Sequence, residues 1–326
     1  MSRARRWPVR IILALVLLAG GLWAFGPYEP ADLRTDFDDS VLDGGVSAYL
    51  SWREARVPDI TPGVEKRVVW ADGPETATEW AVVYLHGFSA SSEEIRPVPD
   101  RVAEALGANL IYTRLRGHGR GGDAMAEGSV AAWMDDTAEA LAIARHISNR
   151  TLVISTSTGG TLAAAAALDG ALAEDVAGIV MVSPNFAINN PLAPLLTWPA
   201  ARYWLPALAG DRRNFEPLNE AQAQYWTTEY PAAAVFPLAA LVRAVRRLDL
   251  SRTDVPVLFV FSDADRVVDA RATRAVMDDW GGAVARWTPQ LTDADDPSRH
   301  VIAGNIVSPG QTAATVTRIL DWAGGL

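Results

Sequence analysis

With 326 residues and 49 % apolar content, the chain can bury a substantial core, enough for one large α/β domain with an insertion or for two smaller ones. Formal charge is −10, and without the first ten residues, which hold Arg3, Arg5, Arg6 and Arg10 and no acid, 25 basic residues face 39 acidic ones. A net −14 on the body argues against nucleic acid as a partner, and the absence of cysteine removes disulfides, thiolate nucleophiles, Cys-ligated zinc and a lipoprotein anchor.

The basic tail is followed by a continuous apolar run, Ile11 to Phe25, flanked by Trp7 and Trp23, and then by acids at Glu29, Asp32, Asp36, Asp38 and Asp39. This pattern reads as a membrane-targeting helix whose positive end stays in the cytoplasm. The body is then expected outside the cytoplasm, either held at the inner membrane by an uncleaved signal-anchor or exported after cleavage. Fifteen helical residues rise roughly 22 Å, short of a hydrocarbon core of about 30 Å unless flanking residues complete the span. Ala19-Gly20-Gly21 offers small residues for cleavage, but Leu22-Trp23-Ala24 puts a large one where a small one is needed, so the anchor is preferred.

Residues 29–60 read as an acidic linker and a docking helix, Val46 to Arg56. From Glu65 onward strands and helices alternate, the signature of a mostly parallel sheet with helices on both faces. Short apolar runs predict strands at Arg67 to Trp70, Trp80 to Leu85, Leu110 to Thr113, Thr151 to Ser155, Gly178 to Val182, Val257 to Phe261 and Ala285 to Thr288. Helical patterns fall at Pro97 to Leu106, Val130 to Ile147, Gly160 to Leu168, Ala270 to Trp280 and Thr312 to Trp322. From Asn185 to Leu250 no strand is evident, and five prolines lie between Pro191 and Pro217. This stretch is expected to be a helical cap over the carboxyl ends of the strands, where ligands bind in open α/β sheets. Most of its aromatics should pack internally; Trp198, Trp204 and Trp226 are candidates for a pocket wall. The expected division is a targeting segment at 1–28, a linker and docking helix at 29–60, an α/β core at 61–184 and 252–326, and a cap at 185–251.

Four short segments carry the chemistry. Ser157 lies in Ser155-Thr156-Ser157-Thr158-Gly159, a turn between an apolar strand and a helix opening with glycines. Such a turn crowds the positions two before and two after the nucleophile, which must be small; here they are Ser155 and Gly159. A lone S-x-S-x-G is poor evidence for a nucleophile, and its context supplies the weight. Leu85-His86-Gly87-Phe88 follows a predicted strand, so the Phe88 and Thr158 N–H groups become candidate oxyanion donors, and His86 fits the task of fixing the loop. Asp265, after the strand ending at Phe261, is favoured over Asp263 as the acid, while Asp269 suits the cap of the next helix. Of four histidines, His86 and His118 sit in early loops and His146 near a helix end. That leaves His300, in Ser298-Arg299-His300-Val301, as the base.

With those residues placed, the chain resembles bacterial carboxylesterases and monoacylglycerol lipases of the α/β-hydrolase superfamily, including the serine aminopeptidase-like group. The resemblance runs from about Val82 to Trp322. It rests on Val83-Tyr84-Leu85-His86-Gly87-Phe88-Ser89, Arg114-Leu115-Arg116-Gly117-His118-Gly119, Trp133 with Asp135, the serine turn and the His300 segment. The Ser, Asp, His order is that of the superfamily, and Ser155, in place of the usual first glycine, is the main departure. The resemblance implies an α/β-hydrolase fold and a Ser157-His300-Asp265 triad that cleaves acyl esters through an acyl-enzyme, needing no cofactor or metal. It implies a small ester substrate, with lipid among the candidates. Alternatives are an aminopeptidase or amidase with the same triad, and a non-catalytic binding protein that kept the fold.

Overall fold

The computed structural model describes residues 3–326; in the first helix, the side chains of Arg3 to Arg6 and of Pro8 lie outside that description, so the basic tail stays a reading of the sequence. Ten α-helices are described: α1 Arg3–Phe25, α2 Val46–Glu54, α3 Val98–Leu106, α4 Val130–Ile147, α5 Thr158–Ala166, α6 Ala201–Ala209, α7 Glu220–Tyr225, α8 Val235–Val245, α9 Ala270–Asp279 and α10 Thr312–Ala323. The strands are β1 Arg67–Val69, β2 Thr78–Leu85, β3 Asn109–Tyr112, β4 Ser148–Thr156, β5 Val176–Val182, β6 Arg212–Asn214, β7 Glu229–Pro231, β8 Val257–Val260 and β9 Val284–Trp287.

Seven strands form one sheet in the order β1-β3-β2-β4-β5-β8-β9, parallel throughout except for β1, which runs antiparallel to β3. Burial on both faces explains why the central strands read as unbroken apolar runs rather than alternating ones. In β2, for instance, Ala81 to Leu85 are all fully buried. One face of the sheet packs on α4, α5, α8 and α9, and the other on α3 and α10. Helix ends follow local chemistry: Ser129 caps α4 by accepting from Ala132 N–H at 3.2 Å, and Asp269 caps α9 by accepting from Arg271 N–H at 2.9 Å. Helix α3 stops at Gly107, whose φ of 61° suits glycine.

The segment between β5 and β8 departs from the all-helical cap expected there. It holds α6, α7 and α8 but also a two-stranded antiparallel ribbon of β6 and β7, with Arg213 opposite Tyr230. Strands of three residues carry too little alternation to register as a pattern.

Residues 29–60 are less of a linker than the sequence suggests. Leu42, Val46 and Leu50 enter the core beneath α4. Glu54 pairs with the buried Arg114 at 2.7 Å and accepts the Lys66 N–H at 2.9 Å. Lys66 in turn reaches Asp136 and Glu139 on α4.

The expected membrane-spanning anchor is not supported. Helix α1 forms, and its side chains from Ile11 to Leu18 are mostly exposed, yet among the described residues no helix is long and apolar enough to cross a membrane. The apolar run is fifteen residues, about 22 Å of helix against a hydrocarbon core of about 30 Å. The far end of α1 and the residues after it lie against the segment between β5 and β8: Trp23 meets Trp198 edge-on, Pro27 C=O accepts from Ala200 N–H, and Glu29 pairs with Arg202.

Candidate active site

Strand β4 ends in a turn whose backbone cannot relax. Ser157 has φ 51° and ψ −112°, outside the regions a residue with a side chain prefers. The turn is held from several sides: Ser157 N–H donates to Val182 C=O at 2.9 Å, and its own carbonyl accepts from Gly160 at 3.0 Å and Asn185 at 2.9 Å. A side chain at Gly159 would run into the Leu85 carbonyl, and one at Gly160 would meet Pro184 Cβ at 2.7 Å. Both glycines are therefore needed for α5 to pass this close to the sheet. Ser155 is fully buried and donates to Val180 C=O at 2.9 Å, pointing away from the turn. Its hydroxyl is satisfied in the core, which is how serine stands where glycine is usual.

The loop after β2 brings the His86-Gly87-Phe88 segment beside this turn. His86 Nε2 accepts from Leu115 N–H at 3.1 Å, which leaves Nδ1 to donate to Gly87 C=O at 2.8 Å. Burial lowers the His86 pKa to about 4, so it is a neutral structural group. His118 is fully buried 5.1 Å from His86, and burial holds its pKa far below the ordinary range. His146 is exposed at the end of α4. The Phe88 and Thr158 N–H groups, the latter at the first turn of α5, donate to no acceptor among the described residues.

His300 lies on the loop after β9 and Asp265 on the loop after β8. His300 Nδ1 is 2.8 Å from Asp265 Oδ2, while Asp265 Oδ1 accepts from Val267 and Val268 N–H at 2.8 and 2.9 Å. Both side chains are buried. Burial opposes protonation of His300, but the Asp265 carboxylate together with Glu94 and Asp296 outweighs it, and the imidazole's pKa is raised above its ordinary 6.5. Asp263, the competing acid, faces outward to Arg274 and Arg286. Asp269 serves as the α9 cap.

Ser157 and His300 open onto one cavity of about 860 Å³, together with Phe88. No hydrogen bond joins the serine hydroxyl to His300 in this state, a looseness common before substrate arrives. Most of the wall from the β5–β8 segment is apolar, including Leu192, Leu195, Leu205 and Phe215. Of the three cap tryptophans, Trp226 lines the cavity. Trp198 and Trp204 do not: Trp198 packs on Trp23, and Trp204 donates to Pro199 C=O at 3.1 Å.

Three further residues border the site without having been singled out in the sequence. Asp296 accepts from the N–H groups of Ser298, His300 and Val301 at 2.9, 3.0 and 2.8 Å, so one carboxylate folds the histidine loop. The run Asp296-Pro297-Ser298 carried that turn signal. Asn185 lines the cavity with its side-chain oxygen buried and unpartnered. Glu94, 2 % exposed, is buried in the cavity wall, and only the folded chain brings it there.

The model of the family described as serine aminopeptidase, S33, matches residues 76–288, more than half of the chain. No curated protein matches the chain in sequence. Among solved structures, a chain described with the metagenome-derived lipolytic enzymes LipS and LipT superposes with a TM-score of 0.63 at 19% identity, covering 82% of this chain and 100% of that one. A soluble variant of monoglyceride lipase from Saccharomyces cerevisiae, in complex with a substrate analogue, gives 0.56 at 12% identity, covering 83% and 97%. A monoacylglycerol lipase from Paleococcus ferrophilus gives 0.52 at 14% identity, covering 80% and 99%. At these identities the likeness speaks for the fold, an α/β hydrolase. By the extent of its match, the chain belongs to the serine aminopeptidase S33 family of α/β hydrolases.

Proposed function

We propose that the protein hydrolyses acyl esters, with Ser157 as nucleophile, His300 as general base and then acid, and Asp265 orienting the imidazole. The observation that carries the reading is the meeting of a strained serine turn and a buried His–Asp pair on one mostly apolar cavity. Ser157 Oγ attacks the acyl carbonyl as its proton passes to His300 Nε2. Asp265 holds Nδ1–H and stabilises the imidazolium. Negative charge gathers on the carbonyl oxygen, which the Phe88 N–H from the loop after β2 and the Thr158 N–H at the first turn of α5 stabilise. Loss of the alcohol, protonated by His300, leaves an acyl-enzyme that water hydrolyses by the reverse use of the same groups.

The aliphatic wall and the volume of the cavity favour substrates with an acyl chain, monoacylglycerol and lysophospholipid among them. The solved lipolytic relatives support the same choice. An amine-capturing peptidase site would need an ordered carboxylate in the cap. Glu216, which lines the cavity from there, is exposed, so the ester reading takes precedence. Export of the catalytic body after cleavage of the basic, apolar N-terminus needs no spanning helix and is the localisation we keep as a proposal, tested by protease accessibility in intact spheroplasts.

The direct test is hydrolysis of p-nitrophenyl esters of increasing acyl length by the full chain and by Ser157→Ala. Turnover in the parent that the variant loses supports the reading, and the length profile sizes the pocket. Equal hydrolysis by both proteins, or none by the folded parent, would contradict it.

A further inference from the structure

The mechanism above gives no task to a buried carboxyl of the cavity wall. Glu94 is buried, yet it forms part of the cavity wall with Ser157 and His300. Its Oε2 accepts from Gly87 N–H at 2.7 Å and from Tyr84 Oη at 2.9 Å, and Tyr84 Oη lies 3.1 Å from Thr156 Oγ1. One carboxyl oxygen thus ties together β2, the loop after it and the last residue of β4. The other oxygen, Oε1, accepts no hydrogen bond from the described residues. A Cβ placed on Gly87 would lie 2.6 Å from Oε1 and 3.2 Å from Ser157 Cβ. The carboxyl and the nucleophile therefore flank the same point of the loop, and glycine at 87 leaves them room.

We propose that Glu94 is a positioning residue for ester hydrolysis: it fixes the Gly87 backbone that presents the Phe88 N–H, and its charge governs how readily His300 takes up a proton. The inference rests on Ser157 and His300 being nucleophile and base. Gly87 is held at both ends, its N–H by Glu94 and its C=O by His86 Nδ1–H. That carbonyl belongs to the same peptide unit as the Phe88 N–H, so the pair of bonds fixes where this N–H points. A donor aimed in advance costs no reorganisation when negative charge develops.

The electrostatic part follows from what faces each group. Tyr84 from β2, the Gly87 amide and His300 from the loop after β9 face Glu94; Asp265, Asp296 and Glu94 face His300. Burial pushes the Glu94 carboxyl up to about 7, against the hydrogen bonds from Gly87 and Tyr84 and the nearby His300, which hold it down. Once ionised, Glu94 favours the protonated imidazole. Because hydrolysis requires neutral His300, Glu94 raises the pH at which activity appears. Removing its charge should move the acid limb of kcat/KM to lower pH.

The test compares the full-length parent, Glu94→Gln and Glu94→Ala on a short p-nitrophenyl ester across pH, with fluorophosphonate labelling and a thermal melt for each. Glutamine keeps an oxygen for both hydrogen bonds and loses only the charge, so its acid limb should shift down by roughly half a unit. Alanine releases the loop, and kcat should fall about tenfold or more while KM changes by less than about threefold. A Glu94→Gln acid limb that coincides with the parent's, or a folded Glu94→Ala with the parent's kcat, would overturn the proposal. If alanine fails to fold, the glutamine profile decides alone. A parent that neither turns over esters nor labels at Ser157 takes down the underlying reading, and this inference with it.

Discussion

Two walls face each other across the cavity and are built of different materials. The wall at the strand ends is made of loops pinned by directed hydrogen bonds: Ser157 is held by Val182, Gly160 and Asn185, His300 by Asp265, and the His300 loop by Asp296. The wall from the β5–β8 segment is mainly aliphatic, contributed by short helices and a three-residue ribbon, and its outer side leaves Tyr203 and Leu208 exposed. Directed hydrogen bonds fix positions to tenths of an ångström, whereas apolar packing fixes shape and tolerates substitutions that keep volume. On the proposed function, that contrast would put reaction chemistry on the first wall and substrate choice on the second.

Substitutions on the first wall should lower turnover on every ester alike. Ser157→Ala is expected to cost a factor on the order of 10⁴ or more in kcat, read on a short p-nitrophenyl ester. Asp265→Asn should cost roughly 10³ to 10⁴, because the amide favours the wrong imidazole tautomer. Loss confined to long-chain esters in either variant would break the assignment of walls to tasks. A pH profile sharpens the same point. With its pKa raised above 6.5, His300 is protonated, and unable to accept from Ser157, on the acid side; kcat/KM should therefore fall as pH drops through that pKa. An activity flat from pH 8 to 5 would exclude a histidine base.

Smaller effects are expected further out. Asp296→Ala removes the acceptor of three N–H groups in the His300 loop and should lower kcat by about ten- to a hundredfold with little change in the acyl-length profile. On the apolar wall, Leu205→Trp should leave turnover of acetyl and butyryl esters within about threefold of the parent and depress long-chain esters far more. An equal loss across the series would mean that this wall also shapes the chemistry.

How much of this was legible in the sequence follows the same division. Strands β2, β4, β5 and β8 are buried on both faces, so their apolar runs marked the sheet to within two or three residues. The serine turn was recognisable because crowding there demands small residues at 155 and 159, and the structure accounts for each. Asp265 was separable from Asp263 only by loop position; the fold makes the difference physical, turning one to His300 and the other to surface arginines. Glu94 left no trace, since its meaning depends on Tyr84, Gly87 and His300 converging from separate elements. The ribbon of β6 and β7 was hidden by its brevity. A helix over Val46 to Arg56 was visible, ending two residues earlier in the structure, but not that Glu54 would meet Arg114, sixty residues on, in a buried ion pair.

The proposed mechanism stands or falls on Ser157, of all the hydroxyls near the strand ends, being the nucleophile. Labelling the full chain with a fluorophosphonate and locating the adduct by peptide mass spectrometry tests it most directly. The account predicts a single adduct on Ser157, lost in His300→Ala and in protein labelled well below pH 6. An adduct on Ser155, Ser183 or another serine, or none on folded protein at pH 8, would contradict it.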